Sequence, residues 1–368
     1  MRHRPDDKRR GPRYKFALLV KKIVSLLISL GILALIYWKL NQHGQLARLE
    51  DIFRSCDRLW MTLSLGMVVP LTLFTSWRLQ QLMPRAGQLG FGEANRLILV
   101  ASVLNLVLPS KMGDIAKAYF MKDRGHLDGS LALSLVIFEK ACDMLSLLLW
   151  CVFGLAWCAF DPSIHLQKNS LFWLLGAGVT AMLVFGLLLV GSQRFATFFF
   201  TVGQKFAPGK MRQKLSKLSG SWTEMHAYFW ASKARLAKVT LTSVFIWFLH
   251  LLQIWMFILA LRAWAPFLAN LALSPLGILA GLLPLTFAGV GTRDYALIQL
   301  YSPFFSAPVA AALGMLCTAR YVLPAVGGLP FAGHYFQIVK KERVAADASV
   351  AKSNEDAELE NHESGTAC

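Results

Sequence analysis

The chain has 368 residues, 55% of them hydrophobic and only 16% charged, and a formal net charge of +17. A soluble domain carries roughly 25% charged residues. Here the mean hydropathy is +0.48, and the apolar residues gather in blocks of about 20, long enough to cross roughly 30 Å of hydrocarbon, which excludes a soluble globular domain. The basic residues fall between the blocks, as in the cytoplasmic loops of membrane proteins, and no reader motif accompanies them, so nucleic acid is not an expected partner.

Residues 1–15 form a basic, cytoplasmic amino-terminal segment, and the membrane domain is expected over residues 16–340. The first span covers Phe16 to Trp38, and Ile36-Tyr37-Trp38-Lys39 offers no small-residue cleavage site, so it is expected to stay uncleaved. Asn41 to Arg58 is polar, with Leu46, Leu49, Phe53 and Trp60 at helical spacing, and predicts an amphipathic interfacial helix outside the membrane. The second span runs from Leu59 to Trp77 and is followed by Arg78, Arg85 and Arg96. The third block, Leu97 to Leu108, is short and breaks at Leu108-Pro109-Ser110-Lys111-Met112-Gly113-Asp114. The fourth, Ser130 to Phe160, carries Glu139, Lys140 and Asp143, and the fifth runs from Leu171 to Val190.

Arg194 to Lys238 holds nine basic residues and one acidic residue, Glu224, and reads as a cytoplasmic loop. The sixth span is Leu236 to Ala263. The seventh block, Leu271 to Phe305, is broken by Pro275, Pro284 and Ala288-Gly289-Val290-Gly291, and the eighth, Pro308 to Phe336, contains Arg320. Residues 341–368 are acidic without an apolar run and are expected to be disordered.

Loop charge then constrains topology. With the basic segment after the fifth block inside, the fifth span runs out to in and the fourth in to out. Lys111 to Gly129, carrying Lys111, Lys117, Lys122 and Arg124, is therefore inside, as is Arg78 to Arg96. The third block must enter and leave on one face. The same parity makes the seventh block a second re-entrant hairpin, opening the opposite way. The expected fold is an all-α polytopic membrane protein with about six full transmembrane helices and two opposed re-entrant hairpins, eight hydrophobic segments in the outline of an inverted repeat, an architecture that places its site between the repeats.

Irregular backbone at membrane depth must be buried in protein or line a wet cavity, and a restarting half-helix attracts an anion. Lys111, Gly113 and Asp114 flank one break, and Gly289, Gly291, Arg293 and Asp294 the other. Arg320 has no acidic residue within four positions and is expected to pair with Glu139 or Asp143, or to hold a lipid phosphate. Glu139 and Asp143 share a helix face, where a local Lys140–Asp143 pair, or a register that leaves Glu139 among the headgroups, would be purely structural. His250 near Gln253 suggests an interhelical hydrogen bond. None of the six cysteines forms a CxxC pair and the eight histidines are unclustered, so neither a disulfide framework nor a metal site is expected. No cofactor is expected either.

Asn105-Leu106-Val107-Leu108-Pro109-Ser110-Lys111-Met112-Gly113-Asp114, then Glu139-Lys140 with Asp143, then Pro284 through Gly289-Val290-Gly291, then Arg320 before Gly327-Gly328, resembles the lysylphosphatidylglycerol synthase transmembrane family. That domain also forms the flippase part of multiple-peptide-resistance-factor proteins. The resemblance covers about Phe16 to Lys340. It implies a bacterial or archaeal cytoplasmic membrane protein that moves lipids between leaflets. Loop charge places both termini in the cytoplasm, and with no convincing nucleophile or metal cluster the expected function is non-enzymatic: translocation or binding of an anionic phospholipid or lipid-linked glycan. The rival readings are an accessory protein that positions a lipid-modifying synthase, and a membrane-embedded headgroup enzyme. The family often has a Glu just after the glycine-rich break, where this chain has Arg293-Asp294. No segment after Val339 reads as an aminoacyl-transferase domain, so no synthase activity is expected.

Overall fold

A computed structural model describes residues 31, 46–84, 87–107, 112–125, 127, 129–160, 170–283 and 290–333. Every regular element among them is helical. In chain order these are α1 (Leu46–Arg54), α2 (Arg58–Gly66), α3 (Val68–Leu82), α4 (Phe91–Val107), α5 (Met112–Gly125), α6 (Gly129–Phe160) and α7 (Ser170–Gly191), followed by α8 (Gln193–Phe206), α9 (Gly209–Trp230), α10 (Lys233–Ala260), α11 (Phe267–Gly281), α12 (Thr292–Leu300) and α13 (Ala307–Gly333).

Five stretches are long and apolar enough to cross a membrane: Arg58–Leu82, Leu131–Phe160, Phe172–Gly191, Lys233–Ala260 and Ala307–Gly333. They coincide with the second, fourth, fifth, sixth and eighth hydrophobic blocks, so the chain is an all-α polytopic membrane protein. The first predicted span and both terminal segments lie outside the described residues, apart from residue 31.

The third and seventh blocks are helical hairpins. Helix α4 folds back on α5, and α11 on α12. Each pair is held by close approach at a glycine. A Cβ on Gly113 of α5 would collide with the carbonyl of Ala101 and with the Asn105 side chain on α4. A Cβ on Gly277 of α11 would meet only the tip of Leu297 on α12, at 2.7 Å. At the restart of α12, Gly291 has φ 97°, a left-handed conformation that favours glycine, and its amide donates to Asp294 Oδ2 at 3.0 Å.

The hairpins are gripped reciprocally. Gly154 of α6, the span after the first hairpin, lies against the Ala272 backbone of α11, and Gly328 of α13, the span after the second, lies against the Leu99 backbone of α4. Gly154 and Gly328 stand at matching sequence distances, within a residue, beyond Pro109 and Pro284. Such a swap is the packing expected of an inverted repeat.

The apolar core is split accordingly. One cluster surrounds the first hairpin, with Leu97, Leu104, Phe120 and Met121 packed on Leu135 and Phe138 of α6. The other surrounds the second, with Ala272, Ile278, Leu297 and Tyr301 packed on Leu147 and Cys151 of α6. Helix α6 passes from one to the other between Cys142 and Leu147.

The basic segment after the fifth span is not a loop. It folds into α8 and α9, which pack on each other and, through α9, on α6. Trp222 and Trp230 of α9 donate indole N–H bonds to the Leu189 and Val190 carbonyls, at 3.1 and 3.3 Å, satisfying acceptors that the end of α7 leaves free. Its charge sets this segment apart from the spans but carries no sign of these long-range contacts. At the opposite end of the bundle the expected amphipathic helix is α1, whose Leu49, Ile52 and Phe53 pack against the second cluster. Asp57 caps α2 through the amides of Leu59 and Trp60, and its own amide donates to the Ala260 carbonyl at the end of α10.

Candidate functional site

A polar layer lies where the two apolar clusters meet. Arg78 falls near the end of α3 and Lys117 on the second turn of α5, while α6 contributes Glu139, Lys140 and Asp143. Arg78 Nη2 donates to Glu139 Oε1 at 2.8 Å, and Arg78 Nη1 pairs with Asp143 Oδ1. Lys117 Nζ pairs with the other Glu139 oxygen. Lys140 Nζ lies 3.1 Å from Asp114 Oδ1 and 3.7 Å from Asp143 Oδ2. The chain of contacts runs Lys117–Glu139–Arg78–Asp143–Lys140–Asp114 and returns to α5, where Asp114 and Lys117 are one helical turn apart. Three cations alternate with three carboxylates around this ring.

The ring's members differ in exposure. Arg78, Glu139 and Lys117 side chains are 2–3% exposed, whereas Asp143 is 23% and Lys140 44% exposed. Buried charges persist only when paired and hydrogen-bonded, and here Ser243 Oγ adds a bond to Arg78 Nη1 at 3.0 Å. A cavity of about 190 Å³ opens on the ring, bordered by its buried members Arg78, Lys117 and Glu139 as well as by Asp114, Lys140 and Asp143, with Asn105 and His250 beside them. Arg78 Nε, Asn105 Oδ1 and His250 Nδ1 border it without a hydrogen-bond partner among the described residues. Buried polar atoms need partners, and a cavity of this volume has room for several waters.

The second hairpin builds a different arrangement. Arg293 is 3% exposed and satisfied within its own neighbourhood: Nε and Nη2 donate to Asp294 Oδ1 at 3.0 and 2.7 Å, and Nη2 also reaches the Gly314 carbonyl at 3.0 Å and Thr318 Oγ1 at 2.6 Å. Arg320 lies 13 residues from each end of α13, which places it at the helix centre. It is 4% exposed. Its Nη2 donates to Tyr321 Oη at 2.8 Å, and the guanidinium lies 4.8 Å from that ring's centroid. Nε and Nη1 have no partner among the described residues. Tyr321 itself is 48% exposed, so the guanidinium lies beneath a half-exposed ring. His250 lines the same cavity as Arg78.

Of the residues singled out by sequence, Asp114, Glu139 and Asp143 converge on the ring, and Gly113 seats its hairpin. Gly291, Arg293 and Asp294 form a second cluster closed by Gly314 and Thr318 of α13, and Arg320 lies further along that helix with Tyr321 as its hydrogen-bond partner. Lys111 and Gly289 lie outside the described residues. The expected pairing of Arg320 with Glu139 or Asp143 is not made, because Arg78 and Lys117 already satisfy those acids. The local Lys140–Asp143 pair is present but is one link in the larger ring. The interhelical bond expected near His250 comes from Gln253, whose Nε2 donates to the Ser64 carbonyl at 2.9 Å, while His250 faces the cavity. Arg78 and Lys117, the two cations that close the ring, were counted by sequence as loop charges. The signal available for Lys117 was its spacing one turn from Asp114 on a helix restarting at Met112.

Residues 22–328 match the family model described as the lysylphosphatidylglycerol synthase TM region. The chain is also similar to the UPF0104 membrane protein MJ1595 of Methanocaldococcus jannaschii, at 24% identity over 244 residues, which cover 63% of this chain and 71% of that protein.

Proposed function

This chain belongs to the family of lysylphosphatidylglycerol synthase transmembrane regions, and from that starting point we propose that it translocates an anionic lipid, a phospholipid or lipid-linked glycan, between leaflets without making or breaking bonds in it. The observation that carries the reading is Arg320. A buried cation at the centre of a membrane helix, with two donors lacking partners among the described residues, lies beside the half-exposed ring of Tyr321. An unpaired charge there costs at least about 2.5 kcal/mol on insertion scales, and a phosphate oxygen would offset that cost through a charge-assisted bond. The ring borders a polar cavity that a headgroup could occupy on its way across. Its zero net charge keeps it from trapping the headgroup.

The membrane in this reading is a bacterial cytoplasmic membrane, with the end that bears α8 and α9 facing the cytoplasm. Single cysteines at Gln204 and Arg212 should then resist an impermeant thiol reagent in intact cells, while Gln42 and Ser55 react. The reverse pattern would invert the topology.

The activity is tested with purified full-length protein in phosphatidylcholine vesicles carrying a headgroup-labelled phosphatidylglycerol. Translocation exposes the inner-leaflet label to an external reductant, and a label-protected fraction unchanged from protein-free vesicles contradicts the reading. A zwitterionic labelled lipid in parallel distinguishes anion selectivity from general scrambling.

A further inference from the structure

Helix α8 starts two residues after the end of α7, turned by Ser192, whose side chain accepts from the Phe195 amide. Its surface divides into three faces at 3.6 residues per turn. Ala196 and Phe200 are buried against the bundle. Thr197 and Thr201 face outward on a polar side. The third face is aromatic and open: Phe198 is 67% and Phe206 86% exposed, and Phe199 is 43% exposed. Helix α8 also folds back along α7. The rings of Phe195 and Phe199 lie 5.7 and 5.1 Å from that of Phe185. Phe185 precedes the end of α7 by six residues, about 9 Å along the axis, so the aromatic face of α8 reaches the depth at which headgroups give way to acyl chains. Arg194 and Lys205, both exposed, project from the helix between its aromatic and polar faces.

We propose that α8 is an in-plane helix seated in the leaflet at the basic end of the molecule, its phenylalanines among the acyl chains and Arg194 and Lys205 on anionic headgroups. Aromatic burial sets its depth and the flanking cations set its lipid preference, as expected of interfacial amphipathic helices. Soluble α8 packing on a protein partner would need its open aromatic face covered on the water side, but the contact with Phe185 turns that face toward the bilayer. The assignment rests on the membrane topology alone and stands whether or not the protein moves lipid.

The test uses the full chain with Cys56 and Cys368 replaced by Ser and spin labels on single cysteines at Phe198, Phe206, Thr197 and Thr201, in phosphatidylcholine vesicles with and without phosphatidylglycerol. Labels at 198 and 206 should relax more with oxygen than with a water-soluble nickel chelate, and those at 197 and 201 the reverse. Equal chelate access at all four positions overturns the in-plane assignment. Phosphatidylglycerol enrichment among co-purified lipids should fall in Arg194→Gln/Lys205→Gln, by roughly fivefold per charge removed. Enrichment unchanged in that variant overturns the anionic preference.

Discussion

The two hairpins share a topology and differ in how they treat charge. The first delivers Asp114 and Lys117 into a ring in which every formal charge has a counter-charge. The second satisfies Arg293 internally and, on the span that follows, leaves Arg320 with two donors unmatched among the described residues. Burying an ion pair is tolerated when its geometry is complete, and removing one member is costly because the other is stranded. A buried cation whose donors lack partners among the described residues leaves positions that a ligand's anion could fill. Under the proposed function, the first hairpin's ring is structural and the span after the second carries the ligand contact.

The largest effect should come from the buried members of the ring. Glu139→Ala strands Arg78 and Lys117 and is expected to cost about 3–5 kcal/mol, seen as a lower melting temperature in detergent. Adding Lys117→Met should recover part of the loss. Wild-type melting in Glu139→Ala would remove the ring as a structural unit and with it the contrast.

The hairpin crossings give the next effect. Gly113→Ala forces a methyl into the Ala101 carbonyl and should cost about 1–3 kcal/mol. Gly277→Ala displaces only the end of Leu297 and should cost less, so reversing that order would mean that the first hairpin is not the tightly seated one. Lys140→Gln, at a position 44% exposed, should change melting by no more than about 1 kcal/mol, in sharp distinction from Glu139→Ala only one residue away.

Sequence revealed the five spans seen among the described residues because hydropathy in a bilayer is a local property. It revealed the hairpins because loop charges fix which side of the membrane each block must return to. Glu139, Asp143 and Arg320 stood out as charges inside apolar runs. Arg78 and Lys117 did not, because their meaning lies in partners 61 and 22 residues away, and at the end of an apolar run a paired arginine has the same local signature as a solvated one. The same blindness assigned Arg320 to the wrong acids. Nor could the reciprocal grip of Gly154 and Gly328 be inferred from glycine alone, since only the backbone each one meets gives it a role.

Arg320 carries the central claim, and Arg320→Gln tests it most directly when melting temperature and translocation of labelled phosphatidylglycerol are measured on the same preparation. The account predicts melting at or above wild type, since a buried charge is removed without stranding a partner, together with loss of translocation that Arg320→Lys partly restores as a point charge. Normal translocation in a stably folded Arg320→Gln would contradict it.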